Sequence, residues 1–438
     1  MNTMHYTSAV VVALAAVVGC GSVAQTSSNA GVGPDPQLPA PEKSLIPTVN
    51  IAPAQGWPQG AQPNAPEGFR VTPLAAGLDH PRWVYVLPNG DVLVAETNAP
   101  PKPEDGKGLK GKVMKSVMKK AGAGVASPNR IILLRDANGD GVAEMRSVFL
   151  QGLNSPFGIA LVGNELFIAN SDAIVKVPYR TGQTSILTAP VKVTDLPGGP
   201  INHHWTKNLI ASPDGRKLYA TVGSNSNVAE NGMAAEEGRA AIWEVDRASG
   251  AKRLYASGMR NPNGLAWEPQ TKGLWTVVNE RDELGNDLVP DYLTSVKDGA
   301  FYGWPWSYWG QSVDERVKPQ RPDMVAKAIK PDFGLGSHVA ALGLVFFDAR
   351  AMPQSYASGA FIGEHGSWNR KPHSGYKVVF VPFAGGKPSG APVDFLTGFL
   401  SADGEAYGRP VGVALDSKGG LLVADDVGNV VWRVAAAR

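Results

Sequence analysis

The sequence predicts an all-β protein that folds as a six-bladed β-propeller, and two observations carry this prediction. Glycine and proline are frequent, with 51 and 35 copies among 438 residues, and helix breakers at this density exclude a long helical bundle. A hairpin pattern also recurs six times, with two short apolar strands joined by a turn rich in Gly and Asp. Such units cannot bury both faces alone, whereas stacking them around an axis does so.

Each copy of the pattern begins with a short segment, usually containing proline, that leads into an apolar strand. Six copies from residue 66 onward give roughly 62 residues per unit, somewhat more than a bare four-stranded blade requires. A β-sandwich pair is the alternative, but six similar units argue against it. The copies span residues 80–95, 155–169, 205–222, 261–278, 341–363 and 409–425. Because propeller function usually lies at one end of the axis, polar residues at equivalent places in each copy are candidates for a common site.

Composition excludes several classes of protein. The 41 basic and 39 acidic residues nearly balance, so the chain has no overall attraction for nucleic acid. A hydrophobic share of 43% excludes wholesale disorder. One cysteine cannot build a disulfide scaffold.

That cysteine, Cys20, ends an apolar run that begins at Ala9. The run is too short to span a bilayer and fits the apolar part of a secretory signal. Val17-Val18-Gly19-Cys20 resembles the lipobox of bacterial lipoproteins, in which the cysteine is acylated and becomes the mature N-terminus. A plain signal peptide with a chance cysteine is the alternative. We expect residues 1–20 to be a lipoprotein signal, with a periplasmic protein anchored to the outer membrane through lipid on Cys20 alone.

Two segments differ in composition from the repeats. Residues 21–65 are rich in Ser, Pro, Ala, Gln and Gly and predict a tether ahead of a propeller domain at 66–438. Residues 98–127 interrupt the first repeat as a basic insertion, with seven lysines between 102 and 120. A solvated lid is the interpretation we favour, and a basic contact with a membrane surface or an acidic partner is the alternative.

Two polar motifs lead into the third and fourth repeats. His203 and His204 are adjacent, and neighbouring residues on a strand point to opposite faces, so one of them could face the axis. A hydrogen-bonded or solvent-facing histidine is the alternative. Arg260 and Asn261 place a cation beside an amide, which suits an anionic or carbonyl-bearing ligand.

Oxygen-rich loops offer candidate sites for a hard cation. Glu280, Arg281 and Asp282 follow a strand, where carboxylates and main-chain carbonyls can ligate calcium; a solvated loop is the alternative. The segment 136–144 has the oxygens of Asp136, Asn138, Asp140 and Glu144 at positions 1, 3, 5 and 9 of a calcium loop, with Gly at position 6. Ser147 stands at position 12, and a tight Asp-Gly turn explains the segment nearly as well.

An aromatic run, Phe301–Trp309, follows the fourth hairpin. Its density indicates either blade packing or a stacking platform for a sugar or planar ring.

Another motif, residues 363–370, places His365 and Arg370 at the end of a strand in the fifth repeat. Ser367 beside His365 invites a hydrolase interpretation, but the spacing lacks a nucleophile-elbow pattern.

These motifs together resemble the glucose/sorbosone dehydrogenase family of periplasmic quinoproteins, which use pyrroloquinoline quinone (PQQ) with Ca²⁺. The resemblance covers roughly residues 66–436 and is closest to the sorbosone dehydrogenase-like branch. The residues that carry it are 203–208, 258–264, 279–282, 302–305, 365–370 and 408–413. It implies PQQ-dependent oxidation of an aldose or sugar aldehyde by hydride transfer to the quinone.

The resemblance also implies a role for each motif. His204 corresponds to the general base that takes the proton of the C1 hydroxyl. Five residues are implied to contact the cofactor, namely Arg260, Asn261, His365, Arg370 and Arg409. Main-chain carbonyls within Glu280, Arg281 and Asp282 are implied to hold the PQQ-bound calcium. A quinone with three carboxylates needs several arginines, and a hard cation strengthens its electrophilic carbonyl.

Alternatives come from other functional classes. A six-bladed lactonase or similar metal hydrolase would recruit Glu280 and Asn261 as ligands at the axis and leave the arginines without a purpose. A non-catalytic binding propeller would not need His204 and Arg260 in one pocket. The chain has no Cys-x-x-Cys-His haem motif, so electrons are expected to leave to an external acceptor, a quinone or a cytochrome.

Overall fold

Six antiparallel sheets surround one axis in the computed structural model, which confirms the predicted all-β, six-bladed propeller. The structure describes residues 23–25, 30–42, 48–101, 120–122, 124–348 and 354–437. Cys20, the rest of residues 1–20, parts of the predicted tether and most of the basic insertion lie outside these ranges. No helix in the described ranges is both long and apolar enough to cross a bilayer.

Each of the first three blades has four strands in sequence order. Blade 1 consists of β3 (Pro81–Val86), β4 (Val92–Glu96), β5 (Arg130–Arg135) and β6 (Met145–Gln151). Blade 2 consists of β7 (Ile159–Val162), β8 (Glu165–Ala169), β9 (Ala173–Pro178) and β10 (Val191–Asp195). Blade 3 consists of β11 (Leu209–Ala211), β12 (Lys217–Val222), β13 (Ala241–Asp246) and β14 (Lys252–Ser257).

The other three blades carry additions to this plan. Blade 4 consists of β15 (Asn261–Trp267), β16 (Leu274–Asn279), β17 (Pro290–Ser295) and β20 (Phe333–Ser337), with β1 (Val32–Gly33) at its outer edge. Blade 5 consists of β21 (Ala341–Asp348), β22 (Ser358–Glu364), β23 (Lys377–Ala384) and β25 (Val393–Leu396), with β24 (Lys387–Pro388). Blade 6 consists of β26 (Pro410–Leu415), β27 (Leu421–Asp425), β28 (Val430–Ala436) and β2 (Phe69–Ala75).

Short elements fill the connections. The hairpin β18 (Ser307–Tyr308) and β19 (Ser312–Val313) and the helix α1 (Pro322–Val325) lie between β17 and β20. Single 3₁₀ turns occur at Met233–Glu236 and Gln354–Tyr356. In blade 6, β2 from the start of the domain pairs with β28 from its end, which closes the ring without leaving an open seam.

The six predicted hairpins are the two innermost strands of the six blades. These strands read as nearly continuous apolar runs because neighbouring blades cover both faces; all five residues of β4 are buried. Turn residues separate them, as at Gly90, whose φ of 89° suits glycine between β3 and β4.

Aromatic side chains close the centre of the ring. Trp83, Phe157 and Trp205 form a contiguous buried cluster, with ring centroids 4.9 Å and 6.2 Å apart along the series. Ala95, Leu342 and Val411 complete this cluster. Because these residues come from five blades and still pack together, they lie on the axis. We call this group of six the axial plug.

The described part of the segment predicted as a tether packs on the propeller. Ala52 is fully buried, and Trp57 packs on Phe399, Tyr407 and Trp432. A free tether makes no such contacts, so residues 48–65 form a strap across the propeller and belong to the folded body.

Candidate functional site

Two kinds of loop meet at one end of the propeller: those that lead into the innermost strand of a blade and those that leave its second strand. The predicted site residues fall on both kinds. His204, Arg260 and Arg409 precede β11, β15 and β26, whereas Glu280–Asp282 follows β16 and both His365 and Arg370 follow β22. The topology therefore brings all of them to the same end, above the axial plug.

His204 is held by the loop that leaves β12. Its Nδ1 lies 2.9 Å from the main-chain oxygen of Ser224 and 3.0 Å from the Ser224 hydroxyl oxygen. A carbonyl oxygen only accepts, and the hydroxyl donates to Ser226 at 2.6 Å, so Nδ1 carries the proton and Nε2 keeps the lone pair. Burial, together with the charge of Arg260, holds the pKa of His204 well below its usual value. At neutral pH the imidazole is therefore an unprotonated base.

Gly223 brings His204 and Asn261 together. A Cβ at this position would lie closer than 3.0 Å to the Cβ of His204 and to Oδ1 of Asn261. Glycine is thus needed here because two functional side chains approach the main chain. Oδ1 of Asn261 is buried and has no hydrogen-bond partner among the described residues, so this oxygen is available to a ligand.

Arg260 connects the loops of blades 3 and 4. Its Nη1 donates to the carbonyl of Glu280 at 2.7 Å, and its Nη2 donates to Asp282 at 2.8 Å and to Asn227 at 3.0 Å. Asn227 also accepts from the main-chain N–H of Asp282 at 2.9 Å. The Arg260 side chain is 6% exposed, and its Nε has no partner in the described ranges. One donor of a tightly held cation is thus left for a ligand.

The carbonyls implied to hold calcium already accept hydrogen bonds from cations. Glu280 O accepts from Arg260, and Asp282 O accepts from Arg316 at 2.9 Å and from Asn227 at 3.2 Å. Arg281 is fully buried, with its guanidinium against Asp314 and two further carbonyls. Ca²⁺ favours uncommitted oxygens with negative charge around them, so this arrangement of Glu280, Arg281 and Asp282 fits calcium poorly.

The side chain of Asp282 bridges blades 4 and 5. Oδ2 accepts from Arg260, and Oδ1 accepts from Asn369 Nδ2 at 2.8 Å. His338 Nδ1 lies 3.7 Å from Oδ1. The carboxylate thereby fixes the position of the Arg260 guanidinium.

His365 and Arg370 take different partners. His365 Nε2 lies 3.0 Å from Oδ2 of Asp426, which also accepts from Arg82 Nη1 at 2.8 Å. Arg370 is paired with Asp287 at 3.1 Å and donates to the Pro372 carbonyl at 3.0 Å. His365 therefore belongs to a network that reaches blades 1 and 6, while Arg370 lies beside the loop of blade 4.

Arg409 lies under the strap. Its Nη2 donates to the carbonyl of Ala52 at 3.1 Å, and the guanidinium carbon lies 5.3 Å from the ring centroid of Tyr376. Nε of Arg409 is buried without a partner among the described residues. The strap thus helps to hold Arg409, which the resemblance implied to contact the cofactor, in place.

Sequence reasoning missed Arg82, Asp426, Asn227 and Lys207. Lys207 is fully buried and donates to the carbonyls of His204 and Trp205 at 3.3 Å, so it fixes the main chain that carries the base. Burial holds the pKa of Lys207 well below its usual value. The sequence carried no signal for this role, because lysine is almost never fully buried in proteins and Lys207 stands in a polar segment ahead of β11.

The aromatic run serves the core. Tyr302, Tyr308 and Trp309 are buried in the cluster between blades 3 and 4, and Trp304 donates its Nε1–H to the carbonyl of Asn227 at 2.9 Å. Blade packing thus explains these four rings. Ser367 is likewise structural, because its buried hydroxyl oxygen accepts from the N–H of Ser374.

The second predicted calcium loop lies at the other end of the propeller. The carboxylates of Asp136, Asp140 and Glu144 lie within 4.8 Å of one another, and Asn138 donates to Asp140 at 3.1 Å. Lys418 places its Nζ 3.9 Å from Asp136. The loop lines a cleft of about 590 Å³, so any ion bound there would be remote from His204.

The residues at the site end fit an anionic, carbonyl-bearing cofactor. Buried atoms without a partner among the described residues include two donors, Nε of Arg260 and Nε of Arg409, and one acceptor, Oδ1 of Asn261. Unpaired buried donors carry a desolvation cost that a ligand with carboxylates and carbonyls would relieve. The donor set therefore agrees with a PQQ-like group.

Family comparisons cover most of the chain. Residues 64–367 match a family model described as "Domain of unknown function (DUF7133)", and residues 312–437 match a model described as "TrAA12-like". The chain is 25% identical over 364 residues to a pyrroloquinoline quinone-dependent pyranose dehydrogenase from Coprinopsis cinerea, covering 73% of this chain and 45% of that protein. It is 30% identical over 117 residues to an aldose sugar dehydrogenase from Escherichia coli, covering 26% of this chain and 30% of that protein.

The fold has a close counterpart among solved structures. The holo form of the PQQ domain of the Coprinopsis cinerea pyranose dehydrogenase superposes with a TM-score of 0.67 at 21% identity, covering 88% of this chain and all of that one. The alignments span less than half the length of both curated relatives. The chain belongs to the DUF7133 family, and it is similar in part of its sequence and in its fold to PQQ-dependent and aldose sugar dehydrogenases.

Proposed function

We propose that this protein is a PQQ-dependent dehydrogenase that oxidises an aldose or a sugar aldehyde, in the manner of a sorbosone or glucose dehydrogenase, and passes the electrons to an external acceptor, a quinone or a cytochrome. The observation that carries the proposal is the neutral His204, which keeps its Nε2 lone pair at the same end of the propeller as the unpaired donors of Arg260 and Arg409.

His204 would take the proton of the C1 hydroxyl on Nε2. Its Nδ1–H bond to Ser224 fixes the ring and stabilises the imidazolium that forms. Bound PQQ supplies a two-electron acceptor for the hydride that leaves C1. Arg260 and Arg409 would hold the carboxylates or carbonyls of that group through their unpaired Nε–H donors, and Oδ1 of Asn261 would accept from an N–H or O–H group of the ligand.

The geometry gives calcium less support. Cationic donors already occupy the Glu280 and Asp282 carbonyls, so we assign no catalytic step to a metal at this place. A chelator series on the protein with PQQ measures the requirement directly. Restoration of PQQ binding by Ca²⁺ after chelation would favour the metal in spite of this geometry.

The burial of Glu280 and its pairing with Arg281 argue against a metal-dependent hydrolase. Its carboxylate is 2% exposed and accepts from both Nε and the main-chain N–H of Arg281. A ligand glutamate would have to turn its charge toward the axis. The non-catalytic alternative leaves the unprotonated His204 and the unpaired Arg260 Nε without a purpose.

The decisive experiment compares His204→Ala with His203→Ala. His203 is exposed beside it and serves as the matched control. We expect both variants to bind PQQ, measured by quinone absorbance, and only His204→Ala to lose dye reduction with aldoses, by at least about 100-fold. Equal turnover of the two variants would disprove the role of His204, and lactone hydrolysis without PQQ would favour the hydrolase.

We also propose that the protein is a periplasmic lipoprotein of the outer membrane, acylated at Cys20. The lipobox-like Val17-Val18-Gly19-Cys20 supports this. Labelled palmitate should enter the native chain and not Cys20→Ser. Equal labelling of both would exclude it.

A further inference from the structure

Asp426 is a buried carboxylate surrounded by three basic side chains. Oδ2 accepts from Arg82 at 2.8 Å and from His365 Nε2 at 3.0 Å, and His80 Nε2 lies 3.7 Å away. Asp426 follows β27 of blade 6, whereas its partners belong to blades 1 and 5. One side chain of blade 6 therefore sets the positions of residues from two other blades.

The charges in this network follow from its surroundings. Burial opposes the charge of Asp426, yet His365 and Arg82 hold the pKa of its carboxyl well below the usual value. Burial lowers the pKa of His365 to about 4. A carboxylate only accepts, so the neutral ring carries its proton on Nε2 and keeps a lone pair on Nδ1.

The network lies at the same end of the propeller as His204. The guanidinium carbon of Arg82 lies 5.6 Å from the ring centroid of Trp205, which directly follows His204. The side chain of His365 is 17% exposed, and Nδ1 makes no hydrogen bond among the described residues. Nε of Arg82 also lacks a partner there. A neutral acceptor thus lies beside a charged donor, and both contact the same carboxylate oxygen of Asp426.

We propose that Asp426 is a positioning residue that aims His365 Nδ1 and the guanidinium of Arg82 at neighbouring hydroxyl groups of the sugar. A hydroxyl both donates and accepts, so an acceptor and a donor fixed side by side suit a vicinal diol. The inference rests on the proposed dehydrogenase function. It assigns His365 to the substrate, in place of the cofactor contact that the sequence implied.

The first test observes the tautomer and needs no turnover. Long-range ¹H–¹⁵N spectra of the ¹⁵N-histidine-labelled full chain distinguish Nε2–H from Nδ1–H rings, and His365→Leu identifies the His365 signals. We expect a single Nε2–H form in the native protein and mixed forms in Asp426→Asn, because an amide both accepts and donates. An unchanged His365 tautomer in Asp426→Asn would overturn the positioning role.

The second test separates substrate from cofactor. With the aldose that is turned over best, we expect Asp426→Asn to raise KM about five- to tenfold, the effect of one lost hydrogen bond. We expect kcat to stay within about threefold and the PQQ dissociation constant within about twofold. His365→Leu removes the acceptor without an unpaired charge and should raise KM similarly. A weakened PQQ affinity with unchanged KM would overturn the proposal.

Asp91→Asn controls for the loss of a buried ion pair. The side chain of Asp91 is 2% exposed, like that of Asp426, and binds Arg135 through both oxygens at 2.7 Å at the other end of the propeller. The Asp91→Asn variant should have a lower melting temperature but an unchanged KM and an unchanged His365 tautomer.

If no aldose is oxidised by the native protein loaded with PQQ, the proposed function fails and the assignment of His365 to a sugar fails with it. The tautomer then still decides whether Asp426 positions His365.

Discussion

The imidazole of His204 and the main-chain carbonyl of Ser224 are joined by a 2.9 Å hydrogen bond that decides which ring nitrogen is basic. Because a main-chain carbonyl cannot donate, this bond fixes the Nδ1–H tautomer regardless of the side-chain hydroxyl. Ser224 N–H in turn donates to the carbonyl of Arg260 at 2.7 Å. The base and the proposed cofactor arginine thus depend on the same short segment after β12.

The first prediction concerns the pH dependence of sugar oxidation. Burial and Arg260 lower the pKa of His204, so the lone pair persists below pH 6.5 and is lost only well below that value. We therefore expect kcat/KM to stay flat from pH 7.5 to 6.5 and to fall at lower pH. A primary isotope effect with a C1-deuterated aldose checks that the chemical step is being measured. A fall of kcat/KM centred between pH 6.5 and 7.5 would contradict the lowered pKa of His204 that burial and Arg260 produce.

The second prediction tests the close approach at Gly223. Gly223→Ala places a methyl group against His204 and Asn261, and both must move. Displacement of a catalytic group by a fraction of an ångström lowers kcat strongly, and we expect about 10- to 100-fold. Gly90→Ala, at a turn at the opposite end, controls for the general cost of replacing a glycine. Equal kcat in the two variants would contradict the predicted contact.

The fold was predictable because its signal is local. Each hairpin encodes its own strands and turn, as in residues 88–95, where Asn-Gly-Asp separates two apolar runs. The packing of residues 48–65 on the propeller was harder to predict, because Trp57 is a single large aromatic residue in a segment of mostly small and polar residues. Its burial depends on Phe399 and Trp432, which lie more than 300 residues later in the chain.

The site was predictable only where a motif carries several polar residues together. His204 and Arg260 stand in such motifs, and the structure places both at the site end. Asp426 and Arg82 stand at the ends of apolar strands that are distant in the sequence, and their pairing exists only once blade 6 meets blade 1. Single polar residues that converge from distant loops form no motif of fixed spacing, so the sequence alone does not show that they meet.

The third prediction tests the strap. Trp57 packs on three aromatic rings, and its Nε1–H donates to Asp425 at 2.7 Å. We expect Trp57→Ala to lower the free energy of unfolding by about 3 kcal/mol and Trp57→Phe, which loses mainly the hydrogen bond, by about 1 kcal/mol. Denaturant unfolding monitored by circular dichroism measures both. Equal stabilities of Trp57→Ala and the native protein would show that residues 48–65 are a free tether after all.

The fourth prediction concerns a buried acid near the site. Burial raises the pKa of Glu364 to about 8, and its Oε2 has no hydrogen-bond partner among the described residues. The folded state therefore keeps a proton that the unfolded chain releases near pH 4.5, and this contribution to stability is lost as the pH rises from 4.5 to 8. Glutamine cannot ionise, so Glu364→Gln should gain stability over the native protein by about 1.4 kcal/mol per pH unit in that window.

Thermal unfolding of both proteins from pH 5 to pH 9 measures this difference directly. The two curves should diverge up to pH 8 and run parallel above it, since Glu364 then titrates in neither state. Glu67→Gln, at an exposed position outside the core, is the control and should follow the native curve throughout. If Glu364→Gln also follows the native curve, the carboxyl is solvated or paired in the folded protein. Solvation would require blade 5 to open between β22 and β23, because Ala360 and Ile362, the residues of β22 in this core, are fully buried.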